Sequence, residues 1–275
     1  MLLFSFLAGL ATAVLVSFKL NAFSSISTIY IPLLLWLGFF LAYIGIILLG
    51  LLIISLFLPK KSPDKPNKFA YFWVKVVVGF ILQVFRVKVH VKNGELIEGD
   101  KAYLLVSNHR SKFDPILQFK VFERCNPVMI SKPENFKIPL AGPFLNNAGC
   151  LAIDRNNDRE ALKTIIKASK FLKEQNLSIG VCPEGTRNLK DRNLMPLKAG
   201  SLKIATKAKA PIAVMVFEGT EKIGKKMLFK TNHVYINVLK IITYEEYQDK
   251  STQELAEDIS KIIQTSIDSF DAKNF

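Results

Sequence analysis

Charge is almost absent from the first part of the chain. Between Met1 and Pro59 the only charged side chain is Lys19, which excludes an ordinary water-facing domain for that segment. Cysteine is scarce: Cys125, Cys150 and Cys182 show no CxxC spacing. That excludes a disulfide framework and a paired-cysteine metal motif, and it suits a reducing compartment, with small buried hydrophobes as the ordinary role. Histidine is limited to His90, His109 and His233, scattered along the chain, which argues against a zinc site. No GxGxxG or GxxxxGK[ST] stretch occurs, so nucleotide binding has no motif to rest on. There is no nucleophile elbow, internal repeat or low-complexity segment.

Apolar residues and basic charge are present instead. Half of the 275 residues are hydrophobic, and the formal net charge is +14. Apart from Lys19, every charge lies beyond Pro59. A basic part beside a very apolar start points to an anionic lipid surface before nucleic acid, and no nucleic-acid partner is expected. Residues 30–58 form an uncharged run, where a bilayer span needs about 20 residues. Residues 2–18 are also uncharged but barely long enough, and AGLATA within them resembles a signal-peptide cleavage site. The longer run that follows, and the absence of a basic start, favour an anchoring helical hairpin over 1–58, joined by KLNAFSSISTI. Lys60, Lys61, Lys65 and Lys68 flank it in a Pro-rich linker, 59–68. Basic flanks stay on the cytoplasmic side, so the expectation is an integral membrane protein whose domain, 69–275, faces the cytoplasm. FAYFWVKVVVGFILQVF (69–85) reads as an interfacial helix on the membrane surface, with a core helix of the domain as the alternative.

Beyond it, strands and helices alternate. RVKVHVK (86–92) alternates apolar and polar residues, as a half-exposed strand does, with His90 on the outer face. KAYLLV (101–106), NPVMI, GCLAI, LSIGVC, PIAVMVF and HVYINVLKII (233–242) are short apolar runs of the kind buried on both faces. Helical spacing fills 158–174, with Leu162, Ile165, Ile166 and Ser169 on one face. It returns in a last helix opened by a Ser251–Glu254 capping box and striped by Leu255, Ile259, Ile262, Ile263 and Phe270. The expectation is an α/β domain with a central, largely parallel sheet flanked by helices.

In such sheets chemistry gathers where loops leave the carboxyl ends of strands. SNHRSKFDP (107–115) leaves a buried strand and carries His109 and Asp114. A carboxylate bonded to one ring nitrogen fixes the tautomer in which the other nitrogen takes a proton from a hydroxyl. Asp114 before Pro115 also reads as a helix N-cap. CPEGTRNLKDR (182–192) offers Gly185, where a ligand can approach the backbone, the Thr186 hydroxyl and the phosphate-matching fork of Arg187. Arg155 follows GCLAI. His90 and His233 read as solvated surface residues.

Together these loops resemble the glycerophospholipid acyltransferase family. NHRSKFD (108–114) matches its NHxxxxD motif, GCLAIDR (149–155) and CPEGTRN (182–188) resemble its second and third motifs, and APIAV (210–214) its fourth. The chain departs from the usual pattern at Ala152 and Cys182, where phenylalanine is usual, at Asn188, usually serine or threonine, and at Val214, often proline. The resemblance implies acyl transfer from a thioester, acyl-CoA or acyl-acyl-carrier-protein, with an acyl phosphate as the alternative donor, to the free hydroxyl of a lysophospholipid, above all 1-acyl-sn-glycerol-3-phosphate. Glycerol 3-phosphate or another lysophospholipid is the alternative acceptor, and a non-catalytic, membrane-anchored protein that binds anionic lipid the alternative class. No bound cofactor or metal is implied. His109 would be the general base and Asp114 its orienting partner. Arg187 and Arg155 would hold the phosphate, with Lys198 as a further candidate. Glu184 would fix its loop or contact the glycerol. Backbone amides near Gly185 or in the NHRS turn would stabilise the oxyanion. Membrane lipids are the expected partners, with acyl carrier protein a candidate; the sequence is silent on oligomeric state.

Overall fold

The computed structural model describes residues 2–23, 28, 30–60, 62–189, 192–224 and 230–272. The chain opens with two apolar helices, α1 (Leu2–Lys19) and α2 (Tyr30–Phe57), packed as a hairpin. Their approach is set by Gly9, where a Cβ would lie 2.9 Å from the Phe40 backbone nitrogen. The pair is bridged by a hydrogen bond between Thr12 Oγ1 and the Tyr43 hydroxyl, 3.0 Å, and by edge-on contact of Phe6 with Trp36. At 1.5 Å per residue α2 is about 42 Å long, beyond the ~30 Å of a bilayer core, and it is long and apolar enough to cross a membrane. α1 is apolar but shorter. Part of the expected connection between them, 24–27 and 29, lies outside the described residues.

After the Pro-rich stretch comes α3 (Lys68–Val84). Asn67 caps it by accepting from the Phe69 and Ala70 amides. Ala70, Val74, Val78 and Leu82 recur at helical spacing and are buried against the domain, while Phe69 and Phe72 stay exposed. The helix is therefore a core helix on one face and offers aromatic rings on the other.

Seven described strands follow, interleaved with helices: β1 (Val87–Lys92), β2 (Leu104–Ser107), α4 (Asp114–Val121), β3 (Val128–Ser131), α5 (Ala141–Asn147), β4 (Leu151–Ala152), α6 (Asp158–Glu174), β5 (Ile179–Val181), α7 (Lys203–Ala208), β6 (Ile212–Glu218), β7 (Asn232–Ile242), α8 (Tyr244–Tyr247) and α9 (Thr252–Asp268). They form one sheet in the order β1-β7-β6-β2-β5-β3-β4. All neighbours run parallel except β6 and β7. The expected α/β architecture with a largely parallel sheet is what the chain adopts.

Alternation along the central strands builds two cores. Leu104, Val106, Ile212, Val214 and Val216 face α6, α7 and α9, whereas Leu105, Ala213, Met215 and Phe217 face α3 and α4. Each such side chain contributes about 1.5–3 kcal/mol on leaving water, and this fixes the register that aligns the carboxyl ends of β2, β5 and β6. Two helix readings need adjustment. In α6, Ile165 and Ser169 are buried but Leu162 and Ile166 are exposed, because Ala168, Phe171 and Leu172 rotate the packed stripe past them. In α9 the Ser251–Glu254 box forms as expected, but Phe270 lies beyond the helix end and packs on Tyr235.

Candidate active site

Since β2, β5 and β6 are adjacent and parallel, the loops leaving their carboxyl ends share one edge of the sheet. Asn108, the first residue after β2, is buried. Its side-chain amide donates to the Phe217 carbonyl at 2.9 Å and accepts from the Phe217 amide at 2.8 Å. It thus mimics a strand residue and locks the start of the loop onto β6. The turn that follows brings His109 back to Asp114: Nδ1 lies 2.9 Å from Oδ2. The same oxygen accepts from the amides of Arg110 and Ser111, each at 2.7 Å. Asp114 is fully buried, and the His109 side chain is only 18% exposed.

Two sequence readings change here. Asp114 opens α4 but does not cap it: the N-cap is Phe113, and the carboxylate turns back into the loop. The NHRS amides are not free for an oxyanion either. Those of Arg110 and Ser111 are held by Asp114, and the His109 amide is held by Glu184 Oε1 at 2.5 Å.

Glu184 resolves the alternatives left open for it. It is 2% exposed, and its second oxygen accepts from the Met195 amide at 3.0 Å. With both oxygens engaged by backbone, it fixes the loops. Burial raises its carboxyl pKa, while the two amides and His109 oppose that rise. The Asn188 amide donates to the His109 carbonyl at 2.9 Å, so the EGTR loop lies directly on the histidine loop. Gly185 has φ +77°, the left-handed region, and Lys198 lies over it: a Cβ there would be 3.2 Å from Nζ. Thr186 and Arg155 are exposed and Arg187 is half-buried. Among the described residues no side-chain hydrogen bond or salt bridge engages Arg155, Arg187 or Lys198.

Desolvation lowers the His109 pKa, but hydrogen bonds and charge interactions with Asp114 and Cys182 outweigh it and raise it to about 10. In the sequence Cys182 is only a departure from the family pattern; in the fold its thiol lies 3.6 Å from Ser107 Oγ and is among the groups that raise the His109 pKa. Arg155 lies within electrostatic reach of the same sulfur, although β4 is two strands away from β5, about 10 Å. Arg110 points elsewhere, toward Glu221, at 3.6 Å. His90 and His233 remain on the surface, but parallel pairing of β1 with β7 sets His90 Nε2 2.9 Å from His233 Nδ1. The sequence had a signal for Asn108, since a polar residue directly after a buried strand needs a partner. It had none for the histidine pair, which rests on long-range register.

A histidine–carboxylate dyad stands with Arg155, Arg187 and Lys198 beside one edge of the sheet. Residues 88–218 match the model of the Acyltransferase family, and the resemblance carried by the motifs is borne out. A 1-acyl-sn-glycerol-3-phosphate acyltransferase of Escherichia coli is 28% identical over 211 residues, 76% of this chain and 84% of that protein. One of Limnanthes douglasii is 28% identical over 163 residues, 59% of this chain and 57% of its own length. The yeast protein of that name is 27% identical over 169 residues, 60% and 55%. The chain therefore spans little more than half the length of the plant and yeast relatives. The crystal structure of the 1-acyl-sn-glycerophosphate acyltransferase of Thermotoga maritima superposes with a TM-score of 0.60 at 22% identity, covering 80% of this chain and 86% of that one, which shows a shared fold.

Proposed function

We propose that the protein transfers a fatty acyl group from a thioester to the free hydroxyl of 1-acyl-sn-glycerol-3-phosphate, forming phosphatidic acid in phospholipid synthesis. The observation that carries this reading is the His109–Asp114 contact, set beside Arg155, Arg187 and Lys198. With Nδ1 held by Asp114, the unprotonated Nε2 accepts the lipid hydroxyl's proton as the oxygen attacks the thioester carbonyl. The thiol then leaves with that proton. Asp114 steadies the imidazolium formed, the role of the carboxylate in a catalytic triad, but without a protein nucleophile, because the acceptor already brings the hydroxyl. Arg187 and Arg155 grip the phosphate, with Lys198 beside them and the Thr186 hydroxyl at the same mouth. Glu184 and Gly185 shape that mouth. No metal or bound cofactor is assigned a step; the donor is acyl-CoA or acyl-acyl-carrier-protein, and the basic surface suits either anionic carrier.

The segment 1–58 anchors the domain 69–275 through the linker 59–68, and the lysines of that linker place the domain on the cytoplasmic side. The outward aromatics of α3, Phe69 and Phe72, rest at the bilayer surface, where acceptor and product both reside.

The test is purified full-length protein in phosphatidylcholine vesicles, supplied with labelled acyl-CoA or acyl-acyl-carrier-protein. The acceptors are 1-acyl-sn-glycerol-3-phosphate, glycerol 3-phosphate and monoacylglycerol, with His109→Ala as the blank. Labelled phosphatidic acid from the first acceptor alone is expected. Preferred acylation of glycerol 3-phosphate would transfer the assignment to that acceptor. Vesicle binding without turnover in the wild type would leave a lipid-binding protein.

A further inference from the structure

Among the chain's thiols, Cys182 alone stands in a set of reactive groups. Cys125 and Cys150 are 1% and 2% exposed, and burial pushes the Cys125 thiol up and that of Cys150 up to about 11. Cys182 is half-exposed at the carboxyl end of β5. Pairing of Val106 with Val181 puts Ser107 and Cys182 side by side at the strand ends, with Oγ 3.6 Å from Sγ. Two residues on from each, the Glu184 carboxylate holds the His109 amide, so the sulfur lies beside the histidine loop, where it is among the groups that raise the imidazole's pKa. Nδ1 of that ring is held by Asp114, so Nε2 is the nitrogen left to take a proton. Cys182 thus stands beside the histidine–aspartate pair, and the exposed Arg155 interacts electrostatically with the same sulfur. The phenylalanine usual at this position offers neither a nucleophile nor a proton.

We propose that Cys182 is a covalent modification site for soft electrophiles, activated by His109 and Asp114, and that an adduct there closes the active site. In the reaction with iodoacetamide, the sulfur attacks the methylene carbon. The sulfur attacks as the thiolate, its proton released to solvent and its charge held beside the imidazolium that His109, raised to about 10, carries at pH 7.5; the S–C bond forms as the C–I bond breaks, and iodide leaves. The ring assigned to the lipid hydroxyl thus serves the thiolate as a neighbouring cation. The adduct then occupies the space in front of Nε2 that the acceptor hydroxyl must reach. The adduct's formation is read by mass, so that part of the proposal stands or falls independently of the acyl-transfer reading.

The experiment is a time course of iodoacetamide labelling of the folded full-length protein in detergent at pH 7.5, with each cysteine followed by peptide mass spectrometry. Cys125 and Cys150 serve as internal references and N-acetylcysteine as the unassisted thiol. Cys182 is expected to react at least tenfold faster than N-acetylcysteine. His109→Gln should slow it by about tenfold, since the thiolate loses its neighbouring cation, and Asp114→Asn, which makes that cation harder to form, should slow it as well. Acyl-transfer activity should fall in step with the Cys182 adduct in the wild type and be insensitive to the reagent in Cys182→Ala. If His109→Gln fails to fold by circular dichroism, Asp114→Asn carries the comparison. A Cys182 rate equal to that of N-acetylcysteine, or unchanged within twofold in a folded His109 or Asp114 variant, overturns the activation. Activity surviving full labelling of Cys182 overturns the closure.

Discussion

Asp114→Asn separates the carboxylate's charge from its shape. In the wild type one oxygen, Oδ2, accepts from His109 Nδ1 at 2.9 Å and from two backbone amides at 2.7 Å. An asparagine oxygen in the same place can still accept the amides, so the turn should persist. The loss is the negative charge opposite the imidazolium. Hydrogen bonds to charged groups contribute roughly 1.5–3 kcal/mol each, and a neutral acceptor retains part of that, so a modest fall in melting temperature is expected. Catalysis should suffer more. A positioned general base is worth about 10²–10⁴-fold, or about 2.7–5.5 kcal/mol of barrier at 1.36 kcal/mol per decade. The carboxylate acts only through that base, so kcat should fall by a factor within that range. The same exchange of aspartate for asparagine in a serine-protease triad costs about 10⁴, the upper end of the range. The pH profile should move too. Asp114 is among the causes that raise His109 to about 10, so the variant's activity should begin its rise at lower pH. The assay is initial-rate acyl transfer into vesicles from pH 6 to 10, with thermal melts alongside. A folded variant within threefold of wild-type kcat, with its pH limb unmoved, would refute the role of the pair.

Arg187→Ala should raise the apparent KM for 1-acyl-sn-glycerol-3-phosphate by roughly 10–100-fold, the equivalent of one charged hydrogen bond lost, while kcat changes little; equal losses with a phosphate-free acceptor would contradict phosphate binding. Asn108→Ala leaves the Phe217 amide and carbonyl without their partners in a buried site, so the melting midpoint should drop by several degrees, for a cost of about 2–4 kcal/mol. Gly9→Leu forces a side chain onto the Phe40 backbone, and should splay α1 from α2; crosslinking between cysteines introduced in the two helices should fall, whereas an unchanged yield would show that the close approach does not hold the hairpin.

Legibility in the sequence followed the range of the forces involved. The strands could be read because each is a short apolar run whose residues meet a sheet partner or a helix on both faces, as Leu104 and Leu105 do. The Ser251 capping box is local and forms as its four residues imply. His109 and Asp114 share one tight turn, so their contact follows from five residues of chain. What stayed hidden depends on distant partners. The exposure of Leu162 and Ile166 is decided by how α6 rotates onto the sheet. The full engagement of Glu184 is decided by amides at His109 and Met195. The approach of Cys182 to the imidazole is decided by the pairing of β2 with β5, and the contact of His90 with His233 by that of β1 with β7.

The central claim is that the imidazole of residue 109 takes the proton from the lipid hydroxyl. The most direct measurement is kcat/KM for 1-acyl-sn-glycerol-3-phosphate across pH 6–10 for the wild type and a folded His109→Gln. The wild type should climb with pH along a limb displaced upward from the ordinary histidine range toward about 10. His109→Gln should lose about 10²–10⁴-fold and with it the limb. Turnover within tenfold of wild type in that variant, still rising along the same limb, would contradict the account.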